Sequence, residues 1–167
     1  GHAASPHAAI DPILISAQLI TALQQLISRR NDPFNPCVLS ITSIQGGNTT
    51  NVIPDQVKLM GTFRALNEKW RFEAHELIRN TTEQLVSSMG GKADLHIDIG
   101  YPCVVNEVNL TTQAQQLASA YLGESNVSET EIRMGAEDFG FYAQKIPACF
   151  FRLGTQNMEK GIVHGVH

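Results

Sequence analysis

Apolar and polar positions repeat with two different periods along this chain, and the switches between them predict its elements. From Asp11 and Pro12 onward, Leu14, Ala17, Leu23, Leu26 and Ile27 recur at helical spacing, with Gln18, Thr21, Gln25 and Ser28 between them. Asp11 is placed to cap this helix and Pro12 suits its first turn, so a first helix is expected to about Arg29. Ile13, Ile15 and Leu19 widen its apolar stripe beyond a single face. Asn31-Asp32-Pro33 and Asn35-Pro36 break the pattern, and Cys37 to Ile44 then alternates as a strand does. Gly46-Gly47-Asn48 reads as a loop or hairpin. Gln56 to Arg64 alternates again, with Val57, Leu59, Gly61 and Phe63 on one face and Lys58, Thr62 and Arg64 on the other. Asn67 is placed to cap a second helix carrying Trp70, Ala74, Leu77, Ile78, Leu85 and Met89, which Gly90-Gly91 ends with a left-handed cap. Ala93, Leu95, Ile97 and Ile99 alternate with Asp94, His96 and Asp98, which predicts a third strand.

Helix, strand, strand, helix, strand is a ferredoxin-like β-α-β-β-α-β unit lacking its first strand. An empty sheet position leaves unpaired backbone, so the polypeptide is expected to begin upstream of Gly1. After Pro102 the pattern changes. A helix is expected around Leu110 to Leu122, ending at Gly123. A strand-like segment ending at Met134, a helix after Glu137-Asp138 and a buried strand from Ala148 to Leu153 should follow. This alternation suits an α/β sheet and sets a domain boundary near residues 101 to 106, giving domains 1–102 and 103–167.

Composition narrows the partners. The chain has 167 residues with a net charge of −4, and its 12 Lys and Arg form no cluster, which argues against binding a phosphate backbone. Cys37, Cys103 and Cys149 are odd in number and far apart, with no Cys-x-x-Cys spacing. A disulfide framework or structural zinc site is therefore not expected, and buried thiols in a reducing cytoplasm are. The apolar runs stop well short of a membrane span, so no membrane partner is expected. Serine or cysteine nucleophile chemistry finds no Gly-x-Ser-x-Gly and no Cys at a suitable spacing from a His.

The chemistry rests on a conjunction. Gly1-His2-Ala3-Ala4-Ser5-Pro6-His7 leads into the first helix. Asn51-Val52-Ile53-Pro54, Gly61-Thr62-Phe63-Arg64, Met134-Gly135-Ala136-Glu137-Asp138-Phe139 and Gly165-Val166-His167 follow in that order. Singly, each has a plain interpretation: His2 as a loop residue, Asn51 as a turn residue, Arg64 as a solvated strand charge, and Glu137-Asp138 as first-turn acids favoured by the helix dipole. Together, over essentially the whole chain, they resemble the M20 family of dinuclear-metal amidohydrolases and carboxypeptidases, especially the branch that removes acyl groups from amino acids.

That resemblance implies an α/β architecture in which a ferredoxin-like lid, α+β in class, precedes the C-terminal part of an α/β metallohydrolase domain. It implies a homodimer formed through the lid, and metal-dependent hydrolysis of the amide bond of an N-acyl amino acid or peptide. The cofactor would be divalent, two ions per site, drawn from zinc, manganese, cobalt or nickel. His2 matches the lid histidine that serves the neighbouring subunit's site, donating a hydrogen bond to the carbonyl oxygen that becomes an oxyanion. Asn51 and Arg64 match residues that line the substrate site, the guanidinium fork suiting a free carboxylate. His167 matches a late metal ligand, with His164 as the alternative. His7 fits a packing role at the helix start, and Glu137-Asp138 a pocket-forming one. The other metal ligands and the general base are expected upstream of Gly1, so these residues alone should be inactive. The competing reading is a non-catalytic ferredoxin-like module for dimerisation or small-ligand binding.

Overall fold

The structure, a computed structural model, describes residues 1–163. The chain divides into two compact units. Gly1–Cys103 with Ile132–Ala136 forms the first, and Val104–Glu131 with the residues from Glu137 onward forms the second.

In the first unit, helix α1 (Pro12–Gln25) starts where Asp11 Oδ1 accepts the backbone N–H groups of Ile13 and Leu14 at 2.9 and 3.1 Å. It widens into a π-helical turn over Leu26–Arg30 and stops at Asn31, whose N–H still reaches the Leu26 carbonyl at 3.0 Å. The buried line is Ile15, Leu19, Leu23 and Leu26. Leu14, which the helical spacing assigns to the core stripe, is 52% exposed. Because this helix is apolar on more than one face, periodicity alone does not select the face that packs.

Strand β1 (Cys37–Gln45) pairs antiparallel with β2 (Lys58–Ala65), from Cys37 opposite Ala65 to Gln45 opposite Lys58, with a register shift between Ile41 and Ser43. Leu39, Ile41, Leu59 and Phe63 turn one sheet face onto the helices. Gly61 sits opposite Ile41 at the shift, and a Cβ there would lie 2.5 Å from the Ser40 carbonyl oxygen. The obstacle is backbone, so Gly61→Ala is expected to lower stability by about 1–3 kcal/mol. A thermal unfolding midpoint unchanged from wild type would contradict this.

Helix α2 (Glu68–Ser88) is capped by Asn67 Oδ1, which accepts the Trp70 N–H at 3.0 Å. It ends at Gly90, whose φ of 80° only glycine adopts freely, while the Gly91 N–H returns to the Val86 carbonyl at 2.9 Å. Ile78 and Val86 complete the core with α1.

The third strand does not form as a ladder: among the described residues the sheet consists of β1 and β2. The alternation is nonetheless real in burial: Leu95 and Ile97 are half-buried against the core while Asp94, His96 and Asp98 are exposed. An extended segment needs a neighbour to exchange backbone hydrogen bonds with. Side chains of α2 stand in for one, Arg71 Nη1 donating to the Ile99 carbonyl at 2.6 Å and Arg79 Nη1 to that of Leu95 at 3.5 Å.

In the second unit, Glu107 caps helix α3 (Val108–Leu122) by accepting the Asn109 and Leu110 N–H groups, and Gly123 with φ of 89° ends it. A short helix α4 spans Phe139–Ala143. Among the described residues, neither the strand expected over Ala148 to Leu153 nor the one expected up to Met134, which falls at the Ile132–Ala136 part of the first unit, is formed as a ladder. Instead the Asn106 side chain copies a strand neighbour, its Nδ2 donating to the Phe150 carbonyl at 2.9 Å and its Oδ1 accepting the Phe150 N–H at 2.8 Å. The Glu107 N–H adds a bond to the Ala148 carbonyl at 2.8 Å. No residue of α3 is buried, and Leu117, Tyr121, Phe151 and Leu153 are all largely exposed.

Candidate functional site

The segments carrying His2 and Asn51 are brought together. His2 forms an antiparallel bridge with Val52. The Ala3 N–H donates to the Asn51 carbonyl at 3.0 Å and the Ile53 N–H to that of Gly1 at 2.8 Å. Small residues follow His2, and the chain turns at once, with the Ser5 N–H on the His2 carbonyl at 2.9 Å. The imidazole is exposed, and its Nδ1 accepts the Ala4 N–H at 3.1 Å. The Asn51 side chain is exposed on the adjoining strand of the bridge.

Arg64 is not part of this cluster. The hairpin continues past Lys58, with Val57 against Gly46 and Pro54 beside Gly47, so the His2–Val52 bridge lies beyond that end of the sheet. Arg64 lies opposite Val38, close to the other end. Arg64 is six residue steps along the strand from Lys58, which at ordinary strand rise is about 20 Å. Arg64 is exposed, and among the described residues its guanidinium has no ion pair or hydrogen bond.

A buried charged network escaped the sequence reading. Arg71 is 7% exposed; its Nη2 and Nε donate to Glu68 at 2.7 to 3.2 Å while its Nη1 holds the Ile99 carbonyl. Glu68 Oε1 also accepts the Cys103 N–H at 2.9 Å. Burial pushes the Glu68 carboxyl up, but the hydrogen bonds from Arg71 and from the Cys103 backbone, with the Arg71 charge, outweigh it and hold the group below the usual carboxylate range. His75, edge-on to both Phe63 and Phe72, is held below the ordinary histidine value by burial and by the Arg71 charge. The i, i+3 spacing of Glu68 and Arg71 was the available signal.

Glu137 and Asp138 open α4, the Glu137 carbonyl accepting the Gly140 N–H at 3.1 Å and the Asp138 carbonyl the Phe141 N–H at 3.0 Å. Neither His164 nor His167 lies within the described residues, and among those described no three His, Cys, Asp or Glu side chains converge as a metal site. The described residues therefore do not by themselves fit a two-ion centre.

A hairpin covered on one face by two helices, with an imidazole and a carboxamide on adjoining strands at one end, defines the first unit as a mixed α/β module of the ferredoxin-like kind. The peptidase dimerisation domain model of the M20 family matches residues 1–94, more than half the chain, and the chain belongs to that family. It is 37% identical over its whole length to thermostable carboxypeptidase 2 of Saccharolobus solfataricus, covering 42% of that protein. To the N-acetylcysteine deacetylase of Bacillus subtilis it is 36% identical over 96% of its length, again covering 42% of the relative. Among solved structures, the Bacillus subtilis YXEP protein, a dinuclear metal binding peptidase from the M20 family, superposes with a TM-score of 0.64 at 33% identity, covering 83% of this chain and 35% of that one. The chain thus spans about two fifths of the length of the curated relatives it matches.

Proposed function

We propose that the protein containing this chain is a metal-dependent amidohydrolase that cleaves the amide bond of N-acyl amino acids, working as a homodimer through the 1–102 lid. Residues 103–167 are part of its catalytic α/β domain. The observation that carries this reading is the bridge that pairs His2 with Val52, next to Asn51, with His2 and Asn51 both exposed, in a peptidase dimerisation domain. Resemblance to a carboxypeptidase and to an N-acetylcysteine deacetylase supports an acylated or peptide-linked amino acid as the substrate class. Among its described residues the second unit has almost no buried side chains, which suits part of a larger domain better than a free-standing one.

In this reading His2 donates to the oxygen that becomes negative as the amide carbonyl is attacked. Asn51 holds the amide, and Arg64 takes the carboxylate of the amino-acid half. Divalent ions, zinc, manganese, cobalt or nickel, would supply an activated water when bound, and His167 would be one of the residues to hold them, with the rest from other parts of the polypeptide. The wide spacing of Cys37, Cys103 and Cys149, with no Cys-x-x-Cys pair, supports a cytoplasmic location.

The test is an assay of the whole protein with matched N-acyl amino acids and their carboxamides, with and without chelator. Cleavage of the carboxylate series is expected, with a KM about a hundredfold lower than for the carboxamides. That difference should vanish in Arg64→Ala, and chelator should abolish turnover until a divalent ion is restored. Equal handling of both series by the wild type would remove Arg64 from substrate binding. Absence of any amide hydrolysis with every ion would favour the dimerisation or small-ligand module instead.

A further inference from the structure

The contact between Ala4 and His2 decides more than the pose of the ring. A neutral imidazole carries one proton on one of two nitrogens, and the nitrogen that accepts a hydrogen bond is the one without it. Here Nδ1 accepts the Ala4 N–H at 3.1 Å, in a turn closed by the Ser5 N–H on the His2 carbonyl. The turn is itself tied down, because Gly1 and Ala3 on either side of His2 bond to Ile53 and Asn51. Backbone on a fixed bridge therefore selects the tautomer. The proton is left on Nε2, the far edge of an exposed ring, for which no hydrogen-bond partner exists among the described residues.

We infer that the Ala4 N–H is a positioning group that locks His2 as the Nε2–H tautomer, so that the acting donor is Nε2 and never Nδ1. This rests on the proposed role of His2 and adds which atom performs it. A donor that must meet charge as it appears gains from being set beforehand, since neither proton shift nor ring flip is then needed during the reaction. With the other tautomer, the bare nitrogen would face the developing oxyanion and repel it. The Ala4 N–H would also lose its acceptor.

Two measurements test this on the whole protein. In protein selectively labelled with 15N-histidine, long-range nitrogen–proton correlation should show His2 with an acceptor-type Nδ1 and a protonated Nε2. A protonated Nδ1 at neutral pH overturns the inference whatever the role of His2. The kinetic arm compares His2→Gln with His2→Asn. The glutamine amide nitrogen reaches roughly where Nε2 lies, while the asparagine amide reaches only to the Nδ1 position and is drawn into the turn by Ala4. His2→Gln should retain about tenfold or more of the turnover number of His2→Asn, with similar KM. The reverse order overturns the inference. If His2→Ala has wild-type turnover, the proposed role of His2 falls instead, and the nitrogen spectrum still reports the tautomer independently.

Discussion

Mixing two crippled variants of the whole protein, His2→Ala and Arg64→Ala, is expected to restore activity that neither has alone. Each substitution should be severe by itself. Losing one donor to an oxyanion costs about a hundredfold or more in turnover. Losing a charge-assisted fork to a carboxylate costs about a hundredfold in kcat/KM, mostly through KM. The restoration follows from where the two residues sit. His2 and Asn51 share a bridge beyond the hairpin end of the sheet, and Arg64 lies opposite Val38 toward the other end. Strand side chains stand roughly perpendicular to the sheet, so neither reaches far along it. A single substrate that meets both residues therefore meets them from two chains. In a heterodimer, one site then combines the intact Arg64 of the His2→Ala chain with the intact His2 of the Arg64→Ala chain, and the other site lacks both. Random pairing makes half the dimers mixed, each with one working site, so about a quarter of wild-type kcat/KM should return on mixing and reassociation. No gain over the separate variants, with heterodimers verified by tagged pull-down, would mean that both residues serve one site from one chain. Retention of wild-type turnover by His2→Ala would remove it from catalysis altogether.

Elements fixed by local chemistry were legible in the sequence. The Asp11 and Asn67 caps, the Gly90 and Gly123 stops and the two alternating strands all appear where short-range rules put them. Those depending on a distant partner were not. Leu95 and Ile97 alternate as a strand should, yet a strand exists only through its neighbour, and α2 arginines bond this backbone instead. Asn106 acts likewise for Phe150, an amide serving as a backbone unit from 44 residues away, which no local pattern announces. The same division holds at the site. His2 and Asn51 were legible as motif residues, but their adjacency depends on a long-range bridge, and the opposite placement of Arg64 depends on the register of β1 with β2. The Arg71 network was missed because a helix-face Glu and Arg pair ordinarily means a solvated surface, and only the packing of residues 99–103 over it makes the charge buried.

That network carries the second large effect. Arg71→Ala should destabilise the lid by about 2–3 kcal/mol, toward the low end for a buried pair because Glu68 remains 29% exposed. The loss has three parts: the fork on Glu68, the donor on the Ile99 carbonyl, and the placement of the carboxylate that receives the Cys103 N–H. Its pH dependence separates this account from simple loss of packing. The Glu68 carboxyl lies below its ordinary value in the folded chain, so its contribution is complete above the unfolded value of about 4.3 and is lost as pH falls through the folded one. His75 is also held low, so from about pH 6.5 downward the unfolded chain binds the extra proton first, and stability again falls with acid. Wild type should therefore weaken in two stages, a shallow one below about pH 6.5 and a second below about 4.3. In Arg71→Ala both stages shrink, because the guanidinium that lowers each group is gone, and the gap between variant and wild type narrows toward acid. Amide exchange at Cys103, measured at pH 7 and well below the lowered Glu68 value, reads the clamp directly. Exchange should be faster in the variant at pH 7, with the difference much reduced once acid has protonated Glu68 in the folded wild type. A gap that stays constant with pH would assign the effect of Arg71 to packing of its aliphatic stem and not to its charge.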